Sequence, residues 1–196
     1  RITDREMLNV VTMVYGGLVN KNLVAKLQAV GVNALGLTGA DIDMIRSHKR
    51  PLKEGIDFGY VGDVDSANGN MLHTLVEAGI VPVMAPLTHD GNGNILNTNA
   101  DTIASETAKA LAPYYDVTLM FCFEKKGVLS NPDDDDSVIP SITPEEFKVL
   151  VADGTVAGGM IPKLENSFNA IEHGVKQVVI TIASSIDGKH GTILRG

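Results

Sequence analysis

Apolar positions along this chain of 196 residues follow two patterns. Short, nearly continuous apolar runs predict buried strands, whereas apolar residues that recur every three or four positions predict amphipathic helices. Glycines and polar turn residues mark where one element ends and the next begins. The predicted helices span 4–30, with a weak point at Gly16-Gly17 that indicates two helices in series, and 70–78, 101–111, 144–152 and 162–173; the predicted strands span 32–37, 80–85, 117–123, 177–182 and 192–194.

The alternation of strands and helices predicts an α/β fold, a three-layer αβα sandwich with a mainly parallel central sheet. The apolar run 117–123 is typical of a strand in the middle of such a sheet. The polar stretch 41–64 predicts irregular structure ending in a surface hairpin, and the turn 90–94 predicts the tip of another hairpin. Because ligands bind beyond the carboxyl ends of parallel strands, we expect the chemistry in the loops there.

Two predicted helix starts carry the pattern of a capping box, in which Thr caps the helix and Glu reaches back to it. One opens the chain, with Thr3 as the cap and Glu6 as its partner, and the other lies at Thr143 and Glu146. The helix pattern begins directly after Arg1, so we expect an N-terminal portion of the protein to precede it.

Composition and charge exclude several classes of protein. Apolar residues make up 44% of the chain and charged residues 20%, which is ordinary for a globular domain. The net charge of −8 argues against nucleic acid as a partner, and Pro82 and Pro86 interrupt the most apolar region, which argues against a membrane span. The single cysteine, Cys122, is expected to be a buried structural thiol, no metal site is assigned, and the composition suits the cytoplasm.

The first segment with candidate chemistry lies between the second predicted hairpin and a helix. Asn97, Asn99 and Asp101 alternate there, so two amides and a carboxylate can be presented to one ligand. The same residue types are common in turns, and Asp101 is equally suited to be the N-cap of the helix. The local sequence leaves both interpretations open.

The second segment is the glycine pair Gly158-Gly159, followed four residues later by Lys163. Glycines let the backbone approach a phosphate closely, and the predicted helix places Lys163 in its first turn. The helix dipole disfavours a cation at that end, which favours a functional explanation such as a phosphoryl group bound between the lysine and the backbone amides. The alternative is a solvated surface lysine after a flexible loop.

The third segment, 124–129, directly follows the most apolar strand and is placed where a nucleotide can bind, although charged residues are common in such loops. The four aspartates at 133–136 lack the glycine and spaced glutamate of a calcium-binding loop, so a solvated acidic loop is favoured. The five histidines show no metal-ligand spacing, and no P-loop motif is present.

Taken together, these segments resemble the amino acid kinase family. The shared features are Asn-x-Asn-Ala-Asp at 97–101, the Gly-Val-Leu that closes 124–129, and Gly-Gly-Met-Ile-Pro-Lys at 158–163, in the family's order. Within the family, the chain is similar to the kinases that act on N-acylglutamate. Residues 1–3 match their Arg-(Val/Ile)-Thr segment and residues 57–64 match their Asp-x-Gly-x-Val-Gly-x-Val stretch. The likeness covers nearly the whole chain.

The resemblance implies ATP-dependent phosphorylation of the side-chain carboxylate of an N-acyl-L-glutamate, acetyl or succinyl, in arginine biosynthesis, with Mg²⁺ carried on the ATP. It implies one domain, in which 1–100 mainly bind the acyl amino acid and 101–196 mainly bind the nucleotide. The residues it assigns are Arg1, Asn97 and Asn99 for the substrate; Lys163 and Asp101 for catalysis, through stabilisation of the phosphoryl group and orientation of the catalytic lysines; and Glu124, Lys125, Lys126, Gly127, Val128, Leu129, Thr155, Val156 and Ala157 for the nucleotide.

The resemblance also implies a cytoplasmic homodimer or higher homo-oligomer whose other partners are small molecules, with no nucleic acid and no membrane. The family's opening Lys-x-Gly-Gly strand and its Gly-Gly-Gly loop do not occur in these 196 residues, so the resemblance implies an active kinase only if a preceding portion supplies them. Glu124 stands where the family commonly has Asp. Two alternatives are a sibling kinase for aspartate, glutamate, carbamate or a nucleotide, and a non-catalytic ligand-binding relative.

Overall fold

The computed structural model describes residues 2–187 and 190–196. These residues form two compact units, the first ending at Leu111 and the second beginning at Ala112. Both units bury apolar side chains between helices and strands. None of the helices in the described ranges is long and apolar enough to cross a bilayer.

The first unit mixes helices with short strands. A π-helical segment, Thr12–Val19, joins its first two α-helices, and a 3-10 turn, Asp41–Asp43, precedes its second strand. The helices are α1 (Arg5–Val11), α2 (Asn20–Ala29), α3 (Gly69–Glu77) and α4 (Ala100–Leu111); the strands are β1 (Ala34–Leu37), β2 (Ile45–Lys49), β3 (Gly62–Ala67), β4 (Val81–Met84), β5 (Leu87–His89) and β6 (Ile95–Asn97).

The strands of this unit pair in two sheets. β1 and β4 are parallel, and α2 packs on this pair. The other sheet has the order β3-β2-β5-β6, in which β2 is antiparallel to β3 and parallel to β5, and β5 and β6 form a hairpin. Met44, Ile45 and Leu72 are fully buried and pack with Leu37 and Ile103 in the core.

A glycine permits the contact between α2 and the β1–β4 pair. Asn20, the first residue of α2, is 4% exposed and donates from Nδ2 to the carbonyl oxygen of Val83 at 2.9 Å. A Cβ atom at Gly36 in β1 would lie 1.9 Å from Asn20 Oδ1, so any side chain there would displace the asparagine. Gly36 therefore allows a polar helix start to lie against the strands.

The second unit is built around a single described sheet with the strand order β7-β9-β10-β8. β7 and β9 are parallel, β9 and β10 are antiparallel, and β10 and β8 are parallel. Val178, Val179 and Ile180 of β9 are fully buried, and α6 packs on this strand. The elements are β7 (Thr118–Phe123), β8 (Ser141–Ile142), α5 (Pro144–Ala152), α6 (Met160–Glu172), β9 (Gln177–Ile182) and β10 (Thr192–Leu194), with a 3-10 turn at Ala183–Ser185.

The predicted α/β class is confirmed, since parallel strand pairs alternate with helices in both units. The predicted capping box at Thr143 is also confirmed, because Thr143 and Glu146 exchange side chain–backbone hydrogen bonds. The box predicted at Thr3 is wrong. Asp4 caps α1 by accepting a hydrogen bond from the Met7 amide at 2.7 Å, while Thr3 is buried and pairs elsewhere.

Three further predictions are wrong. The stretch predicted to be irregular contains β2, whose start at Ile45 is fully buried and whose partner is β3. Its polar composition is misleading, because Ser47 also points into the core. β7 lies at the edge of its sheet among the described strands rather than in the middle, and Cys122 in that strand is exposed rather than buried.

Candidate substrate and phosphoryl-transfer residues

Asn97 ends β6 and is held at both its backbone and its side chain. Its backbone N–H donates to the carbonyl oxygen of Tyr60 at 2.8 Å. Its side-chain Nδ2 donates to Oγ1 of Thr3 at 3.1 Å, and Thr3 is 1% exposed. The amide of Asn97 is therefore fixed in orientation by a buried hydroxyl, which suits a residue that must meet a ligand in one geometry.

Gly59 brings Thr3 to this position. The Thr3 N–H donates to the Phe58 carbonyl oxygen at 3.0 Å, and the Tyr60 N–H donates to the Thr3 carbonyl oxygen at 2.7 Å. Gly59 has a φ of +70°, and a Cβ atom on it would lie 2.1 Å from the Thr3 carbonyl oxygen. Only glycine fits there. Arg1, which is also predicted to bind the substrate, lies outside the described residues.

A buried pair of threonines anchors the turn after β6. The hydroxyls of Thr88 and Thr98 lie 2.9 Å apart, and both side chains are almost completely buried. Thr98 also donates from its backbone N–H to the Pro86 carbonyl oxygen at 3.0 Å. Sequence reasoning did not identify this pair. The available signal was alternation along the extended chain. Thr98 lies between Asn97 and Asn99, so its side chain points to the face opposite theirs, which is the core.

Asn99 caps α4. Its Oδ1 accepts a hydrogen bond from the Thr102 amide at 3.1 Å, so the alternative in which Asp101 is the N-cap is wrong. Asp101 lies in the first turn of α4 and is partly buried. A carboxylate there is favoured by the positive end of the helix dipole. Asn97 thus ends β6, Asn99 caps α4 and Asp101 lies in the first turn of α4, and their joint contact with one ligand stays a prediction.

A second polar cluster, which we call the hairpin clamp, consists of Asp43, Arg46 and His89. His89 Nε2 lies 2.7 Å from Asp43 Oδ1, and Arg46 Nη2 lies 2.8 Å from Asp43 Oδ2. The His89 Nδ1 accepts the Gly91 N–H at 3.2 Å, so the neutral ring carries its proton on Nε2 and donates it to Asp43. The hydrogen bond from His89, with help from Arg46, holds the pKa of Asp43 below its ordinary value.

The hairpin clamp also holds strained backbone. Ile42 and Asp43 both have positive φ values, 48° and 53°, in a region that non-glycine residues seldom adopt. Because His89 ends β5, the clamp links this strained turn to the hairpin that carries Asn97 at its other end. No role was predicted for His89 from the sequence, since only the fold brings it beside Asp43.

In the second unit, Lys163 lies in the first turn of α6, as predicted. Its Nζ atom is 3.3 Å from the centroid of the Phe123 ring, at the end of β7. The α6 N-cap is Gly159, which provides no side-chain cap, and the amides of Met160 and Ile161 donate to the carbonyl oxygens of Ala157 and Gly158, at 3.2 and 3.3 Å. The helix start therefore combines weakly held amides with a nearby ammonium group, which is suited to bind a phosphoryl group.

The predicted nucleotide segment 124–129 divides into two parts. Gly127, Val128 and Leu129 are buried, and the Val128 N–H donates to Thr192 Oγ1 at 2.8 Å, so the side chains of Val128 and Leu129 belong to the core. Glu124, Lys125 and Lys126 are exposed. The second half of the segment fixes the loop, and the first half presents its charges.

The two exposed lysines pair with the acidic loop 133–136. Lys125 Nζ lies 2.6 Å from Asp135 Oδ1, and Lys126 Nζ lies 2.5 Å from Asp136 Oδ1. These hydrogen bonds raise the pKa of each lysine and lower the pKa of Asp135. The four aspartates are exposed, as expected for a solvated acidic loop. Across residues 2–187 and 190–196, no group of three or more His, Cys, Asp or Glu side chains is arranged to hold a metal ion.

The segment 155–157 follows α5. The Thr155 N–H donates to Asp153 Oδ1 at 2.9 Å, and this hydrogen bond lowers the pKa of Asp153. Val156 is 2% exposed, and its N–H donates to the Leu150 carbonyl oxygen at 2.8 Å. Ala157 is exposed just ahead of the glycine pair. Of these three predicted nucleotide residues, Ala157 is therefore the most open to a ligand.

Comparison with known proteins identifies the family. Residues 1–181 match the model of the amino acid kinase family, so the chain belongs to that family. The resemblance seen in the sequence, and with it the predicted class of phosphotransferases, is confirmed. Within the family, the chain is similar to acetylglutamate kinase from Phocaeicola vulgatus, with 69% identity over 195 residues, which are 100% of this chain and 76% of that relative.

Solved structures with the same fold agree. The crystal structure of smu.665 from Streptococcus mutans UA159 has a TM-score of 0.81 at 30% identity and covers 100% of this chain and 74% of that one. Carbamate kinase from Giardia has a TM-score of 0.64 at 18% identity, covering 95% of this chain and 71% of that one, which supports the fold alone. The predicted amino acid kinase fold is confirmed.

Proposed function

We propose that the protein transfers the γ-phosphoryl group of ATP to the side-chain carboxylate of an N-acyl-L-glutamate, acetyl or succinyl, in arginine biosynthesis in the cytoplasm. A carboxylate oxygen attacks the γ-phosphorus, the bond to the bridging oxygen of the β-phosphate breaks, and ADP leaves with the electron pair. The carboxylate is already ionised at neutral pH, so positioning and charge neutralisation are needed rather than a general base.

The oriented amide of Asn97 is the observation that supports this substrate most directly. An acylated glutamate offers carboxylate and amide groups, which an asparagine side chain matches as both donor and acceptor. Because Thr3 already holds one side of the Asn97 amide, little freedom is lost when a ligand binds. Asn99 and Asp101 lie on the next turn, and Arg1 precedes the segment that contacts Asn97. The similarity to an acetylglutamate kinase supports the same substrate class.

Lys163 and the start of α6 are proposed to hold the transferring phosphoryl group. An ammonium group and helix N-terminal amides directed at charge that develops in the transition state lower the barrier most effectively. Lys125, Lys126 and Ala157 are proposed to contact the nucleotide. In this proposal Mg²⁺ arrives on the ATP, since Mg²⁺ keeps several waters and is commonly held by substrate phosphates together with one or two carboxylates. Asp101 would orient the catalytic lysines.

Homodimer formation through the first helical region is part of the proposal. The helix α1, the π-helical segment and α2 expose large apolar side chains, among them Met13 at 65%, Leu18 at 63% and Val10 at 48%. Apolar side chains on consecutive turns are unusual for a surface that remains in water. A second copy of the chain, which presents the same surface, is the partner we propose.

A substrate panel on the full-length protein tests the proposed activity. ADP release and acyl phosphate formation, trapped as hydroxamate, are measured with N-acetylglutamate, N-succinylglutamate, glutamate, aspartate, carbamate and a nucleoside monophosphate. Turnover with either acylglutamate, at least tenfold above the others in kcat/KM, is the expected result. Preference for another acceptor would place the protein with a sibling kinase, and ligand binding without ADP release would make it a non-catalytic relative.

A further inference from the structure

The ring of Phe123 and the ammonium of Lys163 form a contact that the proposed reaction does not yet explain. Lys163 Nζ lies 3.3 Å from the ring centroid, well within the distance at which an aromatic face attracts a cation. Such contacts become stronger as water is excluded from around the ammonium and the ring. The contact therefore restrains a long side chain that otherwise has several rotatable bonds.

The Phe123 ring is itself held in place. Phe121, two residues earlier in β7, points to the same face of the strand and is 5% exposed. The two rings stack with centroids 6.1 Å apart and an interplanar angle of 17°. A buried ring thus supports a half-buried ring, and the half-buried ring supports the lysine. The restraint on Lys163 reaches back to the core of the unit.

The chemistry of the partner distinguishes this contact from the neighbouring lysine contacts. Lys125 and Lys126 pair with the carboxylates of Asp135 and Asp136, which carry full negative charges. The Phe123 ring attracts the ammonium through its quadrupole and carries no net charge. It therefore orients the ammonium of Lys163 without adding a negative charge of its own beside it.

The ring also offsets an unfavourable position. Lys163 lies in the first turn of α6, where the helix dipole repels a cation. We infer that Phe123 is a positioning residue that holds the Lys163 ammonium at the start of α6, where the transferring phosphoryl group is received. This inference rests on the proposed function, because it assumes that Lys163 acts in phosphoryl transfer.

Three variants of the full-length protein test the inference. F123L keeps an apolar side chain of similar size but removes the aromatic face, F123Y keeps the face, and F147L removes the ring that packs on Phe168 at 5.5 Å in the same unit. We expect F123L to lower kcat about 3- to 10-fold with a KM for acylglutamate near that of the wild type, while F123Y stays within about twofold. F147L controls for general loss of aromatic packing.

A second readout does not depend on activity. In the nucleotide-free protein, NMR of the lysine ε-methylene protons should show a ring-current shift for Lys163, assigned with K163A, that F123L removes and F147L keeps. Equal losses of kcat in F123L and F147L, or a lost shift with unchanged kcat, would overturn the positioning role alone. If the wild type phosphorylates no acylglutamate, the proposed function fails and the positioning role falls with it, although the shift still reports the contact.

Discussion

The substrate turn of the first unit and the lysine loops of the second unit hold their polar groups in different ways. Asn97 is hydrogen-bonded to the buried hydroxyl of Thr3, and Asn99 accepts a backbone N–H of α4. The buried Thr88–Thr98 pair fixes the turn between them. Lys125 and Lys126 instead pair with exposed aspartates on a neighbouring loop. One region is fixed by hydrogen bonds within the fold, and the other by ion pairs at its surface.

The difference indicates how each region can respond to a ligand. Surface ion pairs contribute about 0–1 kcal/mol, so a polyphosphate can displace the aspartates from the lysines at little cost. The bonds around Asn97 involve buried groups, and breaking them leaves polar atoms without partners. The region around Asn97 is thus suited to recognise a small ligand of one shape. The lysine loop is suited to exchange the carboxylates of its aspartates for the phosphates of a ligand.

The largest expected effect comes from the ammonium of Lys163. K163A should lower kcat by about 10²–10³-fold with little change in the KM of the acylglutamate, because its contact strengthens as charge develops in the transition state. Steady-state kinetics with both substrates provide the measurement. K176A is the matched control, since Lys176 pairs with Asp116 at the surface of the same unit. An effect of K163A on KM alone would contradict the assigned role.

The two roles of Asn99 can be separated by comparing N99A with N99D. N99A removes the cap of α4 and should lower the free energy of unfolding by about 1 kcal/mol, measured by urea denaturation. N99D keeps a capping oxygen and should retain stability, but its carboxylate should raise the KM of the acylglutamate several-fold through charge repulsion. If N99D binds the substrate as well as the wild type does, Asn99 has only the structural task.

The pairing of the nucleotide loop with the acidic loop predicts a smaller effect. In the double variant D135N/D136N, Lys125 and Lys126 lose their charged partners and become more available to phosphates. The KM of ATP should fall about two- to threefold at low salt, and the difference should disappear near 0.5 M salt, where such charges are screened. D133N/D134N removes the same charge from the same loop and is the matched control, because the carboxylates within ion-pair distance of the two lysines are those of Asp135 and Asp136. An unchanged KM at low salt would show that these ion pairs do not compete with ATP.

The smallest effect concerns the hairpin clamp in acid. The pKa of Asp43 lies below its ordinary 3.8 because His89 and Arg46 favour the charged carboxylate. The stability linked to this group is therefore fully present above about pH 3.8 and is lost as the pH falls through the lower value in the folded protein. D43N removes the titration, so its melting temperature should fall less steeply than that of the wild type below pH 4. If the melting temperatures of D43N and the wild type fall equally steeply with pH below 4, the hairpin clamp does not contribute to the acid sensitivity of the fold.

Much of the fold could be predicted because its elements are strongly patterned. The apolar run of β9, the capping box at Thr143 and the glycine-rich tip of the β5–β6 hairpin are local signals, and each lies where it was predicted. β2 was missed because the burial of Ser47 and its neighbours depends on pairing with β3, more than ten residues away. The exposure of Cys122 likewise follows from the edge position of β7, which no local pattern specifies.

The candidate site likewise contains features with a local sequence signal and features that depend on contacts between distant residues. The motif around Asn97 and the position of Lys163 in a first helical turn could be predicted from the sequence. The contact of Lys163 with Phe123 and the hydrogen bond of His89 with Asp43 each join residues that are at least 40 positions apart in the chain. Side chains so distant meet only through the packing of whole elements, which a single sequence does not encode in any short pattern.

The π-helical segment between α1 and α2 sets the rotation of α2 about its axis relative to α1. The Asn20 N–H donates to the carbonyl oxygen of Tyr15, five residues back, so this stretch holds more residues per turn than an α-helix does. Each residue of an α-helix advances by about 100°. Deleting one residue from the segment would rotate Asn20 by about that angle and move its amide away from Gly36, so the wide turn acts as a spacer that sets which side of α2 faces the strands.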